Sequence, residues 1–390
     1  MTYLLYTMVA FATLYLGVTA GFVIGLLRRP KRRNKDQPFV SVVIAARDEG
    51  AFIGACLKSL TYQTYPADRY EIIVVDDDST DDTNAEILKF ENVRCLQPSE
   101  EFESFAAKKR PMATGIAASR GPLILTTDAD CTVPETWIKT VVSHFTEETD
   151  VVIGYSEIAP ISKSLTHRFQ SYDFFALLSA AAGAAGLGRA WAATGQNFAY
   201  RREVYDRVNG FRAIANRPSG DDVLLLQLFR KAGASVAFCK ASSGHVTTWR
   251  GESIGGLINQ RKRWASNAIK QPQLNPCFFA YIASVLTITL LPILAIFLGG
   301  PFVTLLILTY GFRILLEGTV LALGIRELEA KQSLWFFPVW MLLQIPYVWI
   351  VGIGGCLSSF EWKNRSHHSS NTPEISQFTK DQQDINHATM

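Results

Sequence analysis

The stretch Leu123-Ile124-Leu125-Thr126-Thr127-Asp128-Ala129-Asp130-Cys131 is an uncharged, largely apolar run that ends in two carboxylates two residues apart. Its length and composition read as a buried strand. In a strand, residues two apart share one face, so Asp128 and Asp130 offer oxygen ligands to one hard cation. They do so at the carboxyl end of a sheet, where open α/β proteins bind ligands. Taken alone, such a pair is more often an acidic turn, and its reading depends on what surrounds it.

Upstream, Val40-Ser-Val-Val-Ile-Ala45 is a short β-branched run followed by Arg47-Asp48-Glu49-Gly50, with Ile53, Cys56, Leu57 and Leu60 at helical spacing. Tyr70-Glu-Ile-Ile-Val-Val75 is a second buried strand, ending in Asp76-Asp77-Asp78-Ser79-Thr80-Asp81-Asp82. Ser79 or Thr80 is placed to cap a helix over 84–90. The opening stretch counts as the third strand. Strands alternating with helical patterns predict an α/β fold with a mostly parallel, doubly wound sheet, whose acidic strand ends gather on one rim. Downstream, 164–187 is an alanine-rich helix carrying Arg168 and Asp173 among aromatics. Ser219-Gly220-Asp221-Asp222 reads equally as a helix N-terminus, where carboxylates favour the dipole, or as a functional pair. In a helix over 253–270, Gln260, Arg263 and Trp264 fall on one face, the pattern of an interfacial anchor or of a site wall.

The flanks are apolar. Thr2 to Leu27 carries no charge and is long enough for a transmembrane anchor (1–27). A basic linker (28–38) follows, with Arg28, Arg29, Lys31, Arg32, Arg33 and Lys35, which places that end in the cytoplasm. Positive charge after the apolar run, not before it, argues against a cleaved signal peptide. A soluble domain occupies 39–270. Three further spans are expected within 276–358, near Pro276 to Leu298, Phe302 to Leu323 and Leu334 to Leu357. Arg313 and Glu317 sit at i, i+4 in the second. Pro338 and Pro346 are expected to kink the third, which is the segment best suited to be re-entrant or interfacial. The polar tail, 359–390, is expected to be disordered. A net charge of +3 argues against a general nucleic-acid partner, and six scattered cysteines read as reduced thiols.

Four stations thus follow in order: Asp76-Asp77, Asp128-x-Asp130, Asp221-Asp222 and Gln260-x-x-Arg263-Trp264. In this order, from about Val40 to Asn267, the chain resembles the membrane-bound family 2 glycosyltransferases of GT-A fold. The resemblance implies an inverting, metal-dependent enzyme. Such an enzyme moves a sugar from a UDP- or GDP-type nucleotide-sugar donor to a lipid or lipid-linked acceptor. It implies that Asp76 or Asp77 contacts the nucleoside, and that Asp128 and Asp130 hold the nucleotide through Mg²⁺ or Mn²⁺. Asp222 matches the general base, with Asp221 as the alternative. Gln260, Arg263 and Trp264 match the motif that meets diphosphate and acceptor. Lys108 or Lys109 aligns with a donor-binding lysine, and Arg47 and Glu49 with the first-loop motif, although Ala45 and Asp48 stand where the family usually has proline and asparagine. The implied location is a bacterial-type inner (plasma) membrane with a cytoplasmic active site. The rival readings are a processive polysaccharide synthase and a non-catalytic nucleotide-sugar-binding protein.

Overall fold

The computed structural model describes residues 1–28, 34–357, 360–362 and 365–367. The core is a seven-stranded sheet in the order β3-β2-β1-β4-β8-β6-β9. Its strands are β1 (Val40–Ala46), β2 (Tyr70–Asp76), β3 (Val93–Leu96), β4 (Leu123–Thr126), β6 (Val151–Gly154), β8 (Phe198–Arg201) and β9 (Val236–Cys239). β8 alone runs antiparallel to its neighbours. The expected mixed α/β class with a mostly parallel sheet is the observed one. A three-stranded sheet, β5 (Cys131–Thr132), β10 (Val246–Thr248) and β7 (Ser156–Ile158), lies beside it.

The alternation within β1 builds a core on each face. Val42 and Ile44 join Ile53, Leu57 and Trp137 on one side, while Val43 joins Met112 and Ile116 on the other. The opening stretch is the fourth strand of the chain, not the third. The overlooked β3 is a four-residue edge strand containing Arg94, too short and too polar to show an alternating pattern. The predicted capping also differs. The helix Thr83–Ile87 takes Asp82 as its N-cap without a side-chain bond, and the Ser79 hydroxyl instead accepts the Asp48 N–H at 3.0 Å.

Among the described residues, one N-terminal helix (Thr2–Leu27) and two C-terminal ones (Pro301–Glu327 and Leu334–Gly355) are long and apolar enough to cross a membrane. A bent pair, Pro276–Ile288 and Leu291–Leu298, would make a further span. A bend of 40° thus falls in the first C-terminal segment, where the sequence predicts none. Pro292, the second residue of the pair's second half, has no N–H to offer the preceding turn. Pro338 is likewise second in its helix, Phe337–Leu357, but follows only the short turn Leu334–Phe336 and not another helix, and that helix continues through Pro346.

The N-terminal helix docks on the helix Leu165–Gly186 by backbone approach. A Cβ added at Gly25 would lie 1.8 Å from the Gly183 carbonyl oxygen, and one at Gly186 would lie 2.1 Å from that of Gly25. Only glycine permits this contact. Deeper in the apolar layer, Arg313 lies 3.2 Å from Glu317, donates to Gln344, and is closed off by Tyr15, whose hydroxyl donates to Glu317. The pair is therefore neutralised inside protein and not against lipid. The tail opens with an antiparallel hairpin, Phe360–Trp362 with Arg365–His367, where no structure was expected. The rest of the predicted disorder, and 29–33 of the basic linker, lie outside the described residues.

Candidate active site

The site forms on the rim where β1, β2 and β4 end. β1 gives way to Arg47, whose Nη1 donates to the Asp77 carbonyl at 2.7 Å and lies 3.4 Å from its carboxylate. The two acidic loops are laced together. Thr80 N–H donates to Asp48 Oδ1 (2.8 Å), and the Glu49 and Gly50 N–H groups donate to Thr83 Oγ1 (2.7 Å) and Asp81 Oδ2 (2.9 Å). Asp48 and Asp78 hold φ of +50° and +55°, a left-handed conformation that aspartate and asparagine tolerate best among residues with a Cβ. Asp48 therefore does the backbone work of an asparagine at that place. Asp76 is buried, accepting from Ser79 N–H (3.1 Å) and Asn84 Nδ2 (3.3 Å).

At the end of β4, Asp128 accepts from the Lys108 ammonium, which also lies 3.5 Å from Asp221 Oδ2. One cation thus joins two stations that are more than 90 residues apart in the chain. Lys109, the other lysine candidate, is excluded from the cleft: its buried ammonium donates to the carbonyls of Arg217 (2.5 Å) and Ser219 (3.0 Å). Burial lowers its pKa to about 8. Its role is to pin the loop that delivers Asp221.

That loop turns at Gly220, where φ is +88° and a Cβ would meet the Leu224 side chain at 2.6 Å. Asp222 then caps the helix Val223–Lys231, its Oδ1 accepting Val223 N–H at 2.6 Å, while Oδ2 accepts Gly195 N–H at 3.1 Å. The two neighbours titrate in opposite directions. Burial, then the adjacent Asp221 charge, raise Asp222 from 3.8 to about 6. Burial would also raise Asp221, but Lys108, Lys109 and Arg263 outweigh it and hold that carboxyl below its ordinary value. Such a split separates a proton acceptor from a fixed anion.

Asp128, Asp130 and Cys131 bring one ligand atom each within 4.8 Å of one another. Burial, followed by the two carboxylates, pushes the Cys131 thiol well up, and the protonated sulfur donates to Asp130 Oδ1 at 3.4 Å. A protonated thiol is a poor ligand for a hard cation, whereas the two carboxylates fit Mg²⁺ or Mn²⁺. Burial and Asp128 raise the Asp130 carboxyl, the cost of keeping two anions together.

Gln260, Arg263 and Trp264 lie on the helix Ile254–Ala265, capped by Ser253. Arg263 faces the acidic pair closely enough to depress Asp221. The end of this helix holds the Asp221 loop, with Arg217 donating to the Ser266 carbonyl (2.8 Å) and Asn267 to Ser219 Oγ (3.1 Å). Gln260 accepts from Arg261 at 3.2 Å. Arg261 is buried and lies 4.1 Å from the Trp264 ring centroid. It pairs with Asp173 at 3.0 Å, and Asp173 also accepts from Tyr347 (3.0 Å) and Trp340 (3.4 Å) of the last apolar helix. The sequence reading noted Asp173 but gave it no partner. It missed Arg261, Gly195 and Arg250, which pairs with both Glu49 and Asp130. Only the helix neighbours of Arg261, Gln260 just before it and Trp264 three residues on, are visible in sequence, and nothing local marks Arg250.

Residues 41–208 match the family Glycosyl transferase family 2. Glycosyltransferase AglE of Haloferax volcanii is 34% identical over 141 residues, 35% of this chain and 45% of the relative. Probable glycosyltransferase YdaM of Bacillus subtilis is 30% identical over 258 residues, 60% of this chain and 57% of the relative. A Nostoc beta-monoglucosyldiacylglycerol synthase is 31% identical over 144 residues, 35% of this chain and 30% of the relative. The matched region thus spans about half the length of the first two relatives. A solved structure of a Pyrobaculum calidifontis mannosyltransferase, in complex with GDP-Man and Mn²⁺, superposes with a TM-score of 0.54 at 17% identity, covering 84% of this chain and all of that one. Residues 41–208 are thus similar to family 2 glycosyltransferases, and the fold is GT-A-like with appended apolar helices.

Proposed function

We propose that the chain is an inverting glycosyltransferase that moves one sugar from a nucleotide-diphosphate-sugar to a lipid or lipid-linked acceptor at the cytoplasmic face of a bacterial-type inner membrane. The observation that carries this reading is the Lys108 ammonium between Asp128 and Asp221, which joins the candidate donor station to the candidate base in one cleft. Asp76 and Asp77 receive the nucleoside beside Arg47. A divalent cation held by Asp128 and Asp130 would neutralise the departing diphosphate. Lys108 and Arg263 add fixed positive charge near the leaving oxygens.

Asp222 takes the proton of the attacking hydroxyl. Each of its oxygens accepts one backbone N–H and retains a lone pair, and a pKa of about 6 leaves it ionised yet basic at neutral pH. One base and one in-line displacement invert the anomeric centre. Trp264 and the aromatic side of the helix Leu165–Gly186 form the acceptor wall, with Phe174 and Trp264 centroids 6.1 Å apart. The apolar helices on both flanks suit a lipid acceptor. Among the relatives, the Nostoc enzyme is named for glycosylating a diacylglycerol lipid.

The test is release of nucleoside diphosphate from UDP- and GDP-sugars by the detergent-purified chain, with products resolved on a gel. A single adduct that requires Mg²⁺ or Mn²⁺ supports the reading. A ladder of products would establish the processive alternative instead, and binding without turnover would leave only a nucleotide-sugar-binding protein.

A further inference from the structure

Arg250 lies between β10 and the helix Ile254–Ala265, and its guanidinium reaches back onto the acidic rim. Its Nη2 pairs with Glu49 Oε2, its Nε lies 3.3 Å from Asp130 Oδ2, and its head sits 5.6 Å from the Phe52 ring centroid. The preceding Trp249 fastens the strap at both ends, its backbone N–H donating to the Asp130 carbonyl at 3.0 Å and its indole N–H to Thr132 Oγ1 at 2.8 Å. Together with the Lys108 pair on Asp128, this means that both carboxylates of the Asp128–Asp130 station already hold a side-chain cation. Glu49 and Asp130 come from different loops, and a planar fork with permanent charge is suited to span them. The Arg250 side chain remains 32% exposed, so it has a route out of the site.

Building on the donor-site reading above, we infer that Arg250 is a stand-in for the divalent cation: it neutralises Asp130 and Glu49 in the donor-free chain and yields its place when a cation arrives together with a nucleoside diphosphate. A free cation must displace the guanidinium from two carboxylates at once. A cation carried on a diphosphate brings further oxygen ligands that offset the broken pairs. Cation and nucleotide binding are therefore coupled through this side chain, and by linkage the coupling is reciprocal.

The experiment titrates Mn²⁺ into the detergent-purified full chain, alone and with UDP or GDP, for the wild type, R250Q and R250K. The wild type binds Mn²⁺ about tenfold more weakly alone than with nucleotide, within the usual range of coupling. R250Q binds Mn²⁺ alone about five- to tenfold more tightly than the wild type and loses most of the coupling. R250K, which keeps a charge but not the fork, falls between them. Equal Mn²⁺ affinity of wild type and R250Q without nucleotide would overturn the inference while leaving the donor site standing. So would a fall in nucleotide affinity at unchanged Mn²⁺ affinity, which would make Arg250 a diphosphate ligand. Failure of the wild type to bind either nucleotide at any Mn²⁺ concentration would instead overturn the donor-site reading, and the inference with it.

Discussion

Replacing Asp222 by asparagine separates chemistry from folding. Asparagine caps a helix about as well as aspartate, so the helix Val223–Lys231 keeps its start. The amide oxygen can still accept one of the two N–H bonds now made to Val223 and Gly195. The carboxyl's folded pKa is raised, from 3.8 to about 6. Its contribution to stability is therefore fully present below pH 3.8 and is lost as the pH rises through about 6. Above that pH the ionised carboxylate weighs on the fold by up to about 3 kcal/mol, taking 1.36 kcal/mol for each pH interval of one. The neutral amide escapes this penalty but leaves one N–H without an acceptor, a cost of about 1–3 kcal/mol, so Asp222→Asn melts close to the wild type at pH 7.5 in detergent. Removing a general base costs about 10²- to 10⁴-fold in rate, or about 3–5 kcal/mol of transition-state stabilisation. The assay is sugar transfer alongside nucleotide binding. The variant binds nucleotide normally and transfers at least 100-fold more slowly. The wild-type kcat/KM rises about tenfold per pH step below about 6 and levels above it. An Asp222→Asn enzyme with near-normal turnover would refute the base assignment. An inactive variant that melts far below the wild type would instead refute the stability argument, since its loss would then be one of folding.

Three further outcomes are expected. Asp130→Asn removes a charged ligand oxygen and weakens Mn²⁺ binding in the presence of nucleotide by at least about tenfold, read by titration; unchanged affinity would remove Asp130 from the cation site. Gly183→Val drives side-chain atoms into the Phe22 backbone, where even a Cβ would lie 2.7 Å from the carbonyl oxygen. It should cost about 1–3 kcal/mol or more, seen as a lowered melting temperature or an aggregated elution profile; a wild-type profile would show that the two helices do not dock as described. The bent pair reaches the depth of Met8 and Ala12, since its Ile288, Leu291 and Ala295 cluster with them, whereas Trp340, Tyr347 and Gly355 of the last helix touch Asp173 of the helix Leu165–Gly186 and Arg261 and Ala265 of the helix Ile254–Ala265. This arrangement predicts three crossings with the last helix along the interface, so a C-terminal fluorescent-protein fusion glows while an alkaline phosphatase fusion is silent; the reverse pattern would make the last helix a span.

The adjacent strands β1, β2 and β4 and their rim were legible because buried parallel strands write themselves as apolar runs, and because the acids at Asp76-Asp77 and Asp128-x-Asp130 stand where those runs stop. β3 was not legible, since an edge strand with one covered side needs few apolar residues, and neither were β6, β8 and β9, each only four residues long. Sequence spacing could not choose between Lys108 and Lys109: adjacent residues at a helix start point in different directions, one to Asp128 and the other to the carbonyls behind Asp221. Arg250 and the Asp173–Arg261–Tyr347 cluster are products of tertiary approach, across 201 residues for Glu49 to Arg250 and 174 for Asp173 to Tyr347. The break between Ile288 and Leu291 was not read from the sequence, where Pro292 is one proline in a long apolar run whose missing N–H cannot serve the preceding turn.

The most direct measurement of the central claim is a mass-spectrometric screen in which the purified full chain, with Mg²⁺ or Mn²⁺, is given UDP- and GDP-sugars together with a bacterial lipid extract. The expected product is a lipid whose mass rises by a single sugar, formed with stoichiometric release of nucleoside diphosphate and abolished by chelation and by Asp222→Asn. Sugar appearing only as a polymer, or donor bound and returned intact with every lipid fraction, would contradict it.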